Sequence, residues 1–457
     1  MKLTKELFVI PNGENYILYA PLKGAVAEVN EGVVALLKNI RDGDAVSAMS
    51  RHTEAVKILK NLELLVDQEE SISEDCQKIE CNTLCNPKNE FMPTSVTLFP
   101  TSDCNLRCVY CFASAGETKK DMPFEIAKSA IDYIIANALQ KNMTEVKLGF
   151  HGGGEPFLPK LYSLNKTIVN YAKEQCSKEK LNIQFSGGSN GVYSQEVLEW
   201  VVNNINHVQL SFDGPKEIQD SQRSNSFDKV IRTLEYFEKK KFSYGIRTTI
   251  TENSVKRMQE LVEFFHTYAP HAKSLHFEPL AEVGRCKDTY FRMPSLDAFF
   301  KNFLSASSKA KEYNIKLYAS SCGEFDKLKA VYCGAAGENF YVTPEGYVTS
   351  CIEVSKLSDP RSETFFYGKY NFATRSFEFN LEQLQKLRTR YCPNIPACAN
   401  CFAKYSCAGD CLAKIATESG GDMFDTTKNP RCGLAQKFLL EDILTKLYSG
   451  GAKNEHS

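Results

Sequence analysis

Hydrophobic positions between residues 94 and 315 alternate between two spacings. Short apolar runs predict strands, and longer segments with apolar residues three and four apart predict one-sided helices between them. The segment 226–241 shows the helical spacing, with apolar residues at Phe227, Val230, Ile231, Leu234 and Phe237. Repeated strand–helix units of this kind form a parallel sheet with right-handed crossovers.

Six such units are present. The predicted strands lie at 95–100, 145–151, 181–187, 207–213, 243–251 and 274–280. The predicted helices lie at 123–139, 161–180, 194–204, 226–241, 256–269 and 295–313. The expected fold is therefore α/β, a partial (β/α)6 barrel over residues 93–315. With six units instead of eight it stays open on one side, and an open flank can admit a polypeptide.

Residues 1–66 predict a separate small module in front of the barrel. Its apolar-alternating runs and helical patterns lie at 14–19, 25–29, 31–40, 43–51 and 53–62, and a short strand at 62–66 closes it. Residues 67–92 predict an acidic linker, whose Cys76, Cys81 and Cys85 fit no metal template and are assigned no function. A cysteine-rich domain at 316–440 and a tail at 441–457 are expected after the barrel.

Composition excludes several classes of protein. Lys plus Arg (55) nearly cancels Asp plus Glu (56), so no overall charge favours nucleic acid. No apolar run of about 18 residues predicts a membrane span, and the start of the chain lacks the apolar core of a signal peptide. A cytoplasmic protein is expected. Its 17 cysteines then indicate metal ligation instead of disulfides, although Cys176 and Cys286 are expected to be ordinary cysteines.

Cys104, Cys108 and Cys111 follow the first predicted strand. A loop at the C-terminal end of a barrel strand is where such folds carry their chemistry. Gaps of three and two residues let three sulfurs converge on a [4Fe–4S] cluster and leave one iron open. Zinc is the alternative, but structural zinc takes four ligands, usually with C-x2-C pairs.

With Tyr110, these cysteines resemble the C-x3-C-x-aromatic-C signature of the radical S-adenosylmethionine (SAM) superfamily. The resemblance implies that SAM chelates the open iron and is cleaved to a 5′-deoxyadenosyl radical. It also implies that Gly153, Gly154 and Glu155 bind the SAM amino group. Further SAM contacts carried over from the family are Ser189, Ser211, Arg223 and Leu280.

A second cysteine set resembles the seven-cysteine SPASM pattern of that superfamily. By this resemblance Cys333, Cys351 and Cys411 hold one auxiliary [4Fe–4S] cluster, and a second auxiliary cluster is held by Cys398, Cys401, Cys407 and Cys432. The first of these clusters lacks a fourth ligand. Cys322 is the expected fourth ligand, Cys392 is the next choice, and an open site for a substrate thiolate is a third possibility. Zinc ribbons remain the alternative for the whole set.

The module at 1–66 resembles the winged-helix precursor-recognition domain of the PqqD type. The resemblance implies that a peptide adds as a strand to its sheet edge. The alternative is an extension that packs on the barrel without a ligand.

The resulting hypothesis is a radical SAM/SPASM peptide maturase that installs a thioether or carbon–carbon crosslink in a ribosomally made precursor peptide. Three [4Fe–4S] clusters, SAM and a reductant such as flavodoxin or ferredoxin are expected. Anaerobic sulfatase maturation, which forms formylglycine, is the first alternative. Those enzymes carry an Asp base directly after the Gly-x4-Cys cysteine, where this chain has Ile352 and then Glu353. The other alternative is a non-enzymatic iron–sulfur electron carrier.

Overall fold

A computed structural model of the protein describes residues 2–43, 52–66, 90–320 and 322–450. The helix predicted at 43–51 lies outside the described residues, except for residue 43. The same holds for most of the predicted linker, with its Cys76, Cys81 and Cys85, and for the end of the predicted tail from residue 451 onward.

The N-terminal module contains five strands and two helices in its described part. The strands are β1 (Lys2–Leu3), β2 (Phe8–Asn12), β3 (Asn15–Ala20), β4 (Ala25–Val29) and β5 (Leu65–Val66). The helices are α1 (Glu31–Arg41) and α2 (Thr53–Asn61). The antiparallel sheet β2-β3-β4 includes one strand, β2, that the sequence pattern did not predict, while β1 pairs with β5.

The six predicted barrel strands are all present, and each pairs in parallel with the next. They are β6 (Ser95–Leu98), β7 (Glu145–Phe150), β8 (Asn182–Ser189), β9 (His207–Ser211), β10 (Tyr244–Ile250) and β11 (Leu275–Pro279). Six helices that follow the predicted pattern, and the additional short α6, connect them. They are α3 (Phe124–Gln140), α4 (Tyr162–Lys178), α5 (Gln195–Asn204), α6 (Lys216–Gln222), α7 (Phe227–Lys240), α8 (Met258–Tyr268) and α9 (Leu296–Glu312).

Alternation along the strands separates the helix-covered face of the sheet from its inner face. On β7, Val146, Leu148 and Phe150 are buried in the main hydrophobic core, while Lys147 between them is exposed. Since successive side chains of a strand point to opposite faces, the inner face of the barrel carries the polar residues. On α7, Val230, Leu234 and Phe237 are buried, in agreement with the predicted one-sided helix. The predicted α/β fold class is confirmed.

The C-terminal cysteine-rich region does not form a separate sheet. Its strands are β12 (Leu317–Tyr318), β13 (Tyr341–Val342), β14 (Tyr347–Thr349), β15 (Phe366–Asn371) and β16 (Ser376–Phe379). β12 pairs in parallel with β11, and β13 pairs in parallel with β6, so these strands extend the barrel sheet at both edges. Spacing of apolar residues predicts that a strand exists, but not which edge it joins.

Five helices complete the C-terminal region. They are α10 (Ser362–Phe365), α11 (Leu381–Arg388), α12 (Lys404–Cys407), α13 (Leu412–Glu418) and α14 (Arg431–Gly450). None of the helices in the described ranges is both long and apolar enough to cross a membrane.

The N-terminal module packs on this C-terminal region. Leu18 and Ala20 of β3 belong to the module's own core, whereas Ile17 and Tyr19 belong to a second core with Phe325, Ala403, Leu439 and Ile443. The Tyr19 and Phe325 rings lie 5.5 Å apart. Both faces of β3 are therefore buried, one inside the module and the other against the cysteine-rich region.

This packing predicts the effect of truncating Ile17, which is fully buried at the second face. Ile17→Ala should lower the free energy of unfolding by about 2–5 kcal/mol, because a buried Ile→Ala change loses transfer free energy and leaves a cavity. Denaturant unfolding measures the loss. Ile58→Ala is the matched control, since Ile58 in the same module is 50% exposed and should change stability by less than about 0.5 kcal/mol. A loss for Ile17→Ala as small as that of the control would show that the module is not docked.

Candidate functional site

The predicted SAM-binding residues and the first cysteine set share one cavity of about 320 Å³, at the C-terminal ends of the barrel strands. Among its lining residues are Cys104, Cys108, Tyr110, Cys111, Gly153, Gly154, Glu155, Ser189, Ser211, Arg223 and Leu280. They come from loops or strand ends that follow β6, β7, β8, β9, α6 and β11. Parallel pairing brings these points together because the carboxyl ends of all the strands lie at one end of the barrel.

The loop that carries the first cysteine set is held by two arginines that the sequence analysis did not identify. Arg107 donates to the carbonyl oxygens of Cys104 and Leu106 at 2.6 and 2.9 Å. Arg285, which follows β11, donates to the carbonyl oxygen of Cys108 at 3.0 Å. Gly284 makes this approach possible, because an added Cβ would lie 2.4 Å from the Cys111 carbonyl oxygen. Arginine in a loop usually indicates a solvated residue, so no sequence signal marked these two.

Burial raises the pKa of the Cys104 thiol to about 12, and the nearby Glu155 carboxylate adds to the shift. A thiol in this environment stays protonated unless a cation is bound to it. A cationic iron centre is such a partner, because metal ligation deprotonates a coordinating thiol. Three thiols that converge on one cavity therefore fit an iron–sulfur cluster.

Glu155 joins the glycine loop after β7 to the end of β8. Its carboxylate accepts hydrogen bonds from the Ser189 hydroxyl at 2.8 Å, the Asn190 backbone N–H at 2.7 Å and the Phe157 backbone N–H at 3.1 Å. Burial nevertheless raises its pKa to about 7. Gly154 is required in this loop because an added Cβ would lie 2.2 Å from the Asp103 carbonyl oxygen.

Arg223 is buried at the cavity and linked to Asp213 through Tyr110. It donates to the Tyr110 hydroxyl at 2.6 Å, and that hydroxyl donates to Asp213 Oδ2 at 2.6 Å. Burial disfavours the guanidinium charge, but Cys108, Tyr110 and Asp213 hold its pKa well above the usual range. Arg223 Nε has no hydrogen-bond partner in the part of the chain that the structure describes. A buried, unpaired donor at the cavity wall fits an anionic ligand group such as the SAM carboxylate.

Asp213 itself was not identified from the sequence. It is fully buried and also accepts bonds from the Gln222 side chain at 2.8 Å and the Thr249 backbone N–H at 3.0 Å. Its position at the end of a predicted strand, before Gly214-Pro215, is the only available signal. That signal equally fits a turn.

The opposite wall of the cavity comes from the cysteine-rich region, through Ile352, Glu353 and Lys414. Lys414 Nζ lies 2.7 Å from Glu278 Oε1 at the end of β11. Burial opposes ionisation of Glu278, but Lys414, a bond from His276 and the charge of Arg431 hold its pKa well below the usual range. This ion pair joins the barrel to the cysteine-rich region.

A second cavity of about 490 Å³ adjoins the first. The two cavities share Phe112, Ala113, Val283 and Glu353. Its other walls are built mainly by residues from the segments 355–361 and 416–421, together with Ser114, Glu117, Gly284 and Lys287. The two cavities together therefore form a cleft between the barrel and the cysteine-rich region.

The second cysteine set divides into two groups. Burial raises the pKa of Cys351 well above its usual value, and the charges of Glu353, Cys411 and Cys333 raise it further, so these three cysteines are neighbours. The second group lines one small apolar cavity, and its members are Cys398, Cys401, Cys407 and Cys432. Within the described ranges no three His, Cys, Asp or Glu side chains are arranged to hold a single metal ion.

The two candidate fourth ligands have different surroundings. The charges that act on the Cys322 thiol are those of Glu278 and Glu324. Cys392 is fully buried and lies closer to Cys398, in a shared hydrophobic cluster. The identity of the fourth ligand stays a prediction. Cys176 and Cys286 are buried in hydrophobic surroundings.

Comparison with known proteins follows the same division of the chain. Residues 98–265 match the model of the radical SAM superfamily. A cysteine-type anaerobic sulfatase-maturating enzyme of Clostridium perfringens is 29% identical over 290 residues, which are 57% of this chain and 74% of that protein. An uncharacterized protein of Methanocaldococcus jannaschii is also 29% identical, over 56% of this chain and 84% of that protein.

Two solved structures extend the similarity beyond the barrel. Native anSMEcpe with bound AdoMet covers 79% of this chain and 99% of its own, with a TM-score of 0.59 and 20% identity. Streptococcus suis SuiB bound to precursor peptide SuiA covers 94% of this chain and 99% of its own, with a TM-score of 0.54 and 14% identity. At this identity the likeness is one of fold. Residues 98–265 are thus a radical SAM domain, and the chain has the fold of the radical SAM/SPASM structures, with a cysteine-rich C-terminal region.

Proposed function

We propose that this chain is a radical SAM enzyme that modifies a peptide by forming an intramolecular crosslink. The main observation in its support is that the three motif cysteines and all eight expected SAM contacts line one cavity. These residues are spread over more than 170 positions of sequence, from Cys104 to Leu280. Their meeting at one point therefore comes from the parallel sheet and argues against a chance cluster of cysteines.

Each group has a separate role in this proposal. Cys104, Cys108 and Cys111 hold a [4Fe–4S] cluster, and Arg223 binds the carboxylate of SAM. When bound, SAM and the cluster supply a radical that removes a hydrogen atom from the peptide. Closing the ring would release one proton and one electron, and clusters held by the second cysteine set would supply an acceptor for that electron. We expect flavodoxin or ferredoxin to supply the electron that starts the reaction.

The cleft supports a peptide substrate. It runs from the cavity into the second cavity of about 490 Å³, so an extended chain can reach the expected SAM site from the surface. SuiB, which was solved with a precursor peptide, matches the fold of this chain over 94% of this chain's length. This similarity extends beyond the barrel, and it therefore supports the hypothesis that the chain acts on a peptide.

Anaerobic sulfatase maturation is a second candidate with equal standing. Ile352 replaces the expected Asp base, but Glu353 also lines the cavity. Glu353 Oε2 lies 3.6 Å from the Arg361 guanidinium and has no hydrogen-bond partner among the described residues. This carboxylate could therefore accept a proton from a substrate Ser or Cys, as oxidation to an aldehyde requires.

The two candidate functions predict different products. The reduced, cluster-loaded enzyme and SAM should be incubated with a randomised peptide library that carries one fixed cysteine. A thioether crosslink consumes the thiol and a carbon–carbon crosslink leaves it free, but neither forms a carbonyl. Crosslinked products should therefore lose two hydrogen atoms in mass and resist hydrazide labelling. Formylglycine is an aldehyde and should react with the hydrazide. Products that react with the hydrazide would contradict the crosslinking proposal and support sulfatase maturation.

Replacing Cys104, Cys108 and Cys111 together with Ala should abolish 5′-deoxyadenosine formation after reduction, because no other described cysteines line this cavity. The iron content should fall from about twelve to about eight per chain, since each [4Fe–4S] cluster holds four irons. Iron analysis and chromatography of the nucleoside measure the two changes. Retained nucleoside formation, or stoichiometric zinc in place of iron, would contradict the assignment.

Arg223→Ala should weaken SAM binding by about 10- to 150-fold, which corresponds to the loss of about 1.5–3 kcal/mol for a bond to a charged group. Isothermal titration with SAM measures this change. Arg232→Ala is the matched control, because Arg232 is exposed on α7 and lies outside the cavity lining. Equal SAM affinity of the two variants would remove Arg223 from the site.

A further inference from the structure

The N-terminal module places a carboxylate against residues 398–407, the segment that carries Cys398, Cys401 and Cys407. Glu6 Oε1 accepts a hydrogen bond from Lys404 Nζ at 2.6 Å and one from the Tyr405 hydroxyl at 3.3 Å. Lys404 and Tyr405 lie between Cys401 and Cys407 in the chain. The contact therefore links residues about 400 positions apart, directly beside predicted cluster ligands.

Lys404 is buried beside these cysteines. Its side chain is 5% exposed and lines the small cavity shared by Cys398, Cys401, Cys407 and Cys432. Besides Glu6 it donates to the Ala399 carbonyl oxygen, at 3.2 Å, within the same segment. A buried ammonium needs a counter-charge because its desolvation is costly. Glu6, 23% exposed, supplies it.

Backbone geometry shows that Glu6 is held in place. Its φ is +56°, in the left-handed region that costs a residue with a Cβ about 1–2 kcal/mol. The side chain contacts Lys404 from this conformation, while the following strands β2 and β3 pack Ile10, Ile17 and Tyr19 onto Ala403 and α14. The module is therefore fixed over this cysteine group by a core on one side and an ion pair on the other.

We propose that Glu6 and Lys404 are positioning residues for the cluster held by Cys398, Cys401, Cys407 and Cys432, and that the N-terminal module sets the charge around it. This inference rests on the proposed assignment of these cysteines as cluster ligands. It gives the module a function at the cluster, whether or not the module also binds a peptide. It also means that deleting residues 1–66 would expose the core around Ala403 and is a poor test of peptide recognition.

The sign of each charge determines what its removal does. Reduction adds an electron to the cluster, so a nearby negative charge disfavours it and a nearby positive charge favours it. Glu6→Gln should therefore raise the midpoint potential of this cluster, and Lys404→Met should lower it. If the pair had only a structural role, both variants would expose the cluster to more solvent. The midpoint potential would then shift in the same direction in both.

The test is a reductive titration followed by electron paramagnetic resonance, on full-length, iron-loaded protein. A background of Cys104→Ala, Cys108→Ala and Cys111→Ala leaves only the clusters of the second set. Each of the two remaining clusters should give one reduction step. The midpoint potential of one step should shift up in Glu6→Gln and down in Lys404→Met, and the midpoint potential of the other step should stay unchanged. Glu54→Gln and Lys57→Met are matched controls, because both residues are exposed on α2 and should shift neither step.

Charge exchange provides a second measurement if a single variant folds poorly. Glu6→Lys alone should lower the iron retained per chain after gel filtration, and Glu6→Lys with Lys404→Glu should restore it, since the pair is then remade with reversed charges. Shifts of the same sign in both single variants, or no rescue by the exchange, would overturn the inference. Absence of iron in the triple-alanine background would overturn the proposed cluster assignment itself. Failure of the inference about Glu6 and Lys404 is thereby distinguished from failure of the cluster assignment.

Discussion

The parallel register of the barrel strands is the constraint on which the site depends. The cysteine loop follows β6, the glycine loop follows β7, Ser189 ends β8 and Leu280 follows β11. Parallel pairing of neighbours sets these points side by side at one end of the sheet. A change of register in any one strand would move its loop out of the cavity, so the register constrains all of the expected SAM contacts together.

Buried charge is the second organising feature, and it connects the barrel to the cysteine-rich region. Glu278, the penultimate residue of β11, pairs with Lys414 at 2.7 Å and with Arg431 at 3.5 Å. Arg431 in turn lies 3.2 Å from Asp410, the residue before Cys411. Removing one member of such a network leaves a buried charge without its counter-ion, which costs more than the network contributes to stability. The orientation of the two regions around the cleft therefore depends on these pairs.

Burial also determines the state of the cysteines. It raises the pKa of Cys104 and of Cys411 to about 12, and in both cases nearby carboxylates add to the effect. These thiols need a cationic partner before they can act as ligands. The N-terminal module contributes to the burial of the group formed by Cys398, Cys401, Cys407 and Cys432. Its docked core packs against Cys401 and Cys407, and its Glu6 pairs with Lys404.

The sequence by itself determined the α/β class, the six barrel strands and six of their helices, because hydrophobic periodicity is a local property of the chain. It also selected the residues around the cavity, since the cysteine spacing and the glycine run carry a chemical signature. It missed β2, Asp213, Arg107 and Arg285, whose roles come from contacts with distant residues. Only the tertiary structure decided that β12 and β13 extend the barrel sheet and that the N-terminal module packs on the segment that carries Cys401 and Cys407. Strand pairing and docking join residues far apart in the chain, and no local pattern of hydrophobic and polar positions specifies which partners they take.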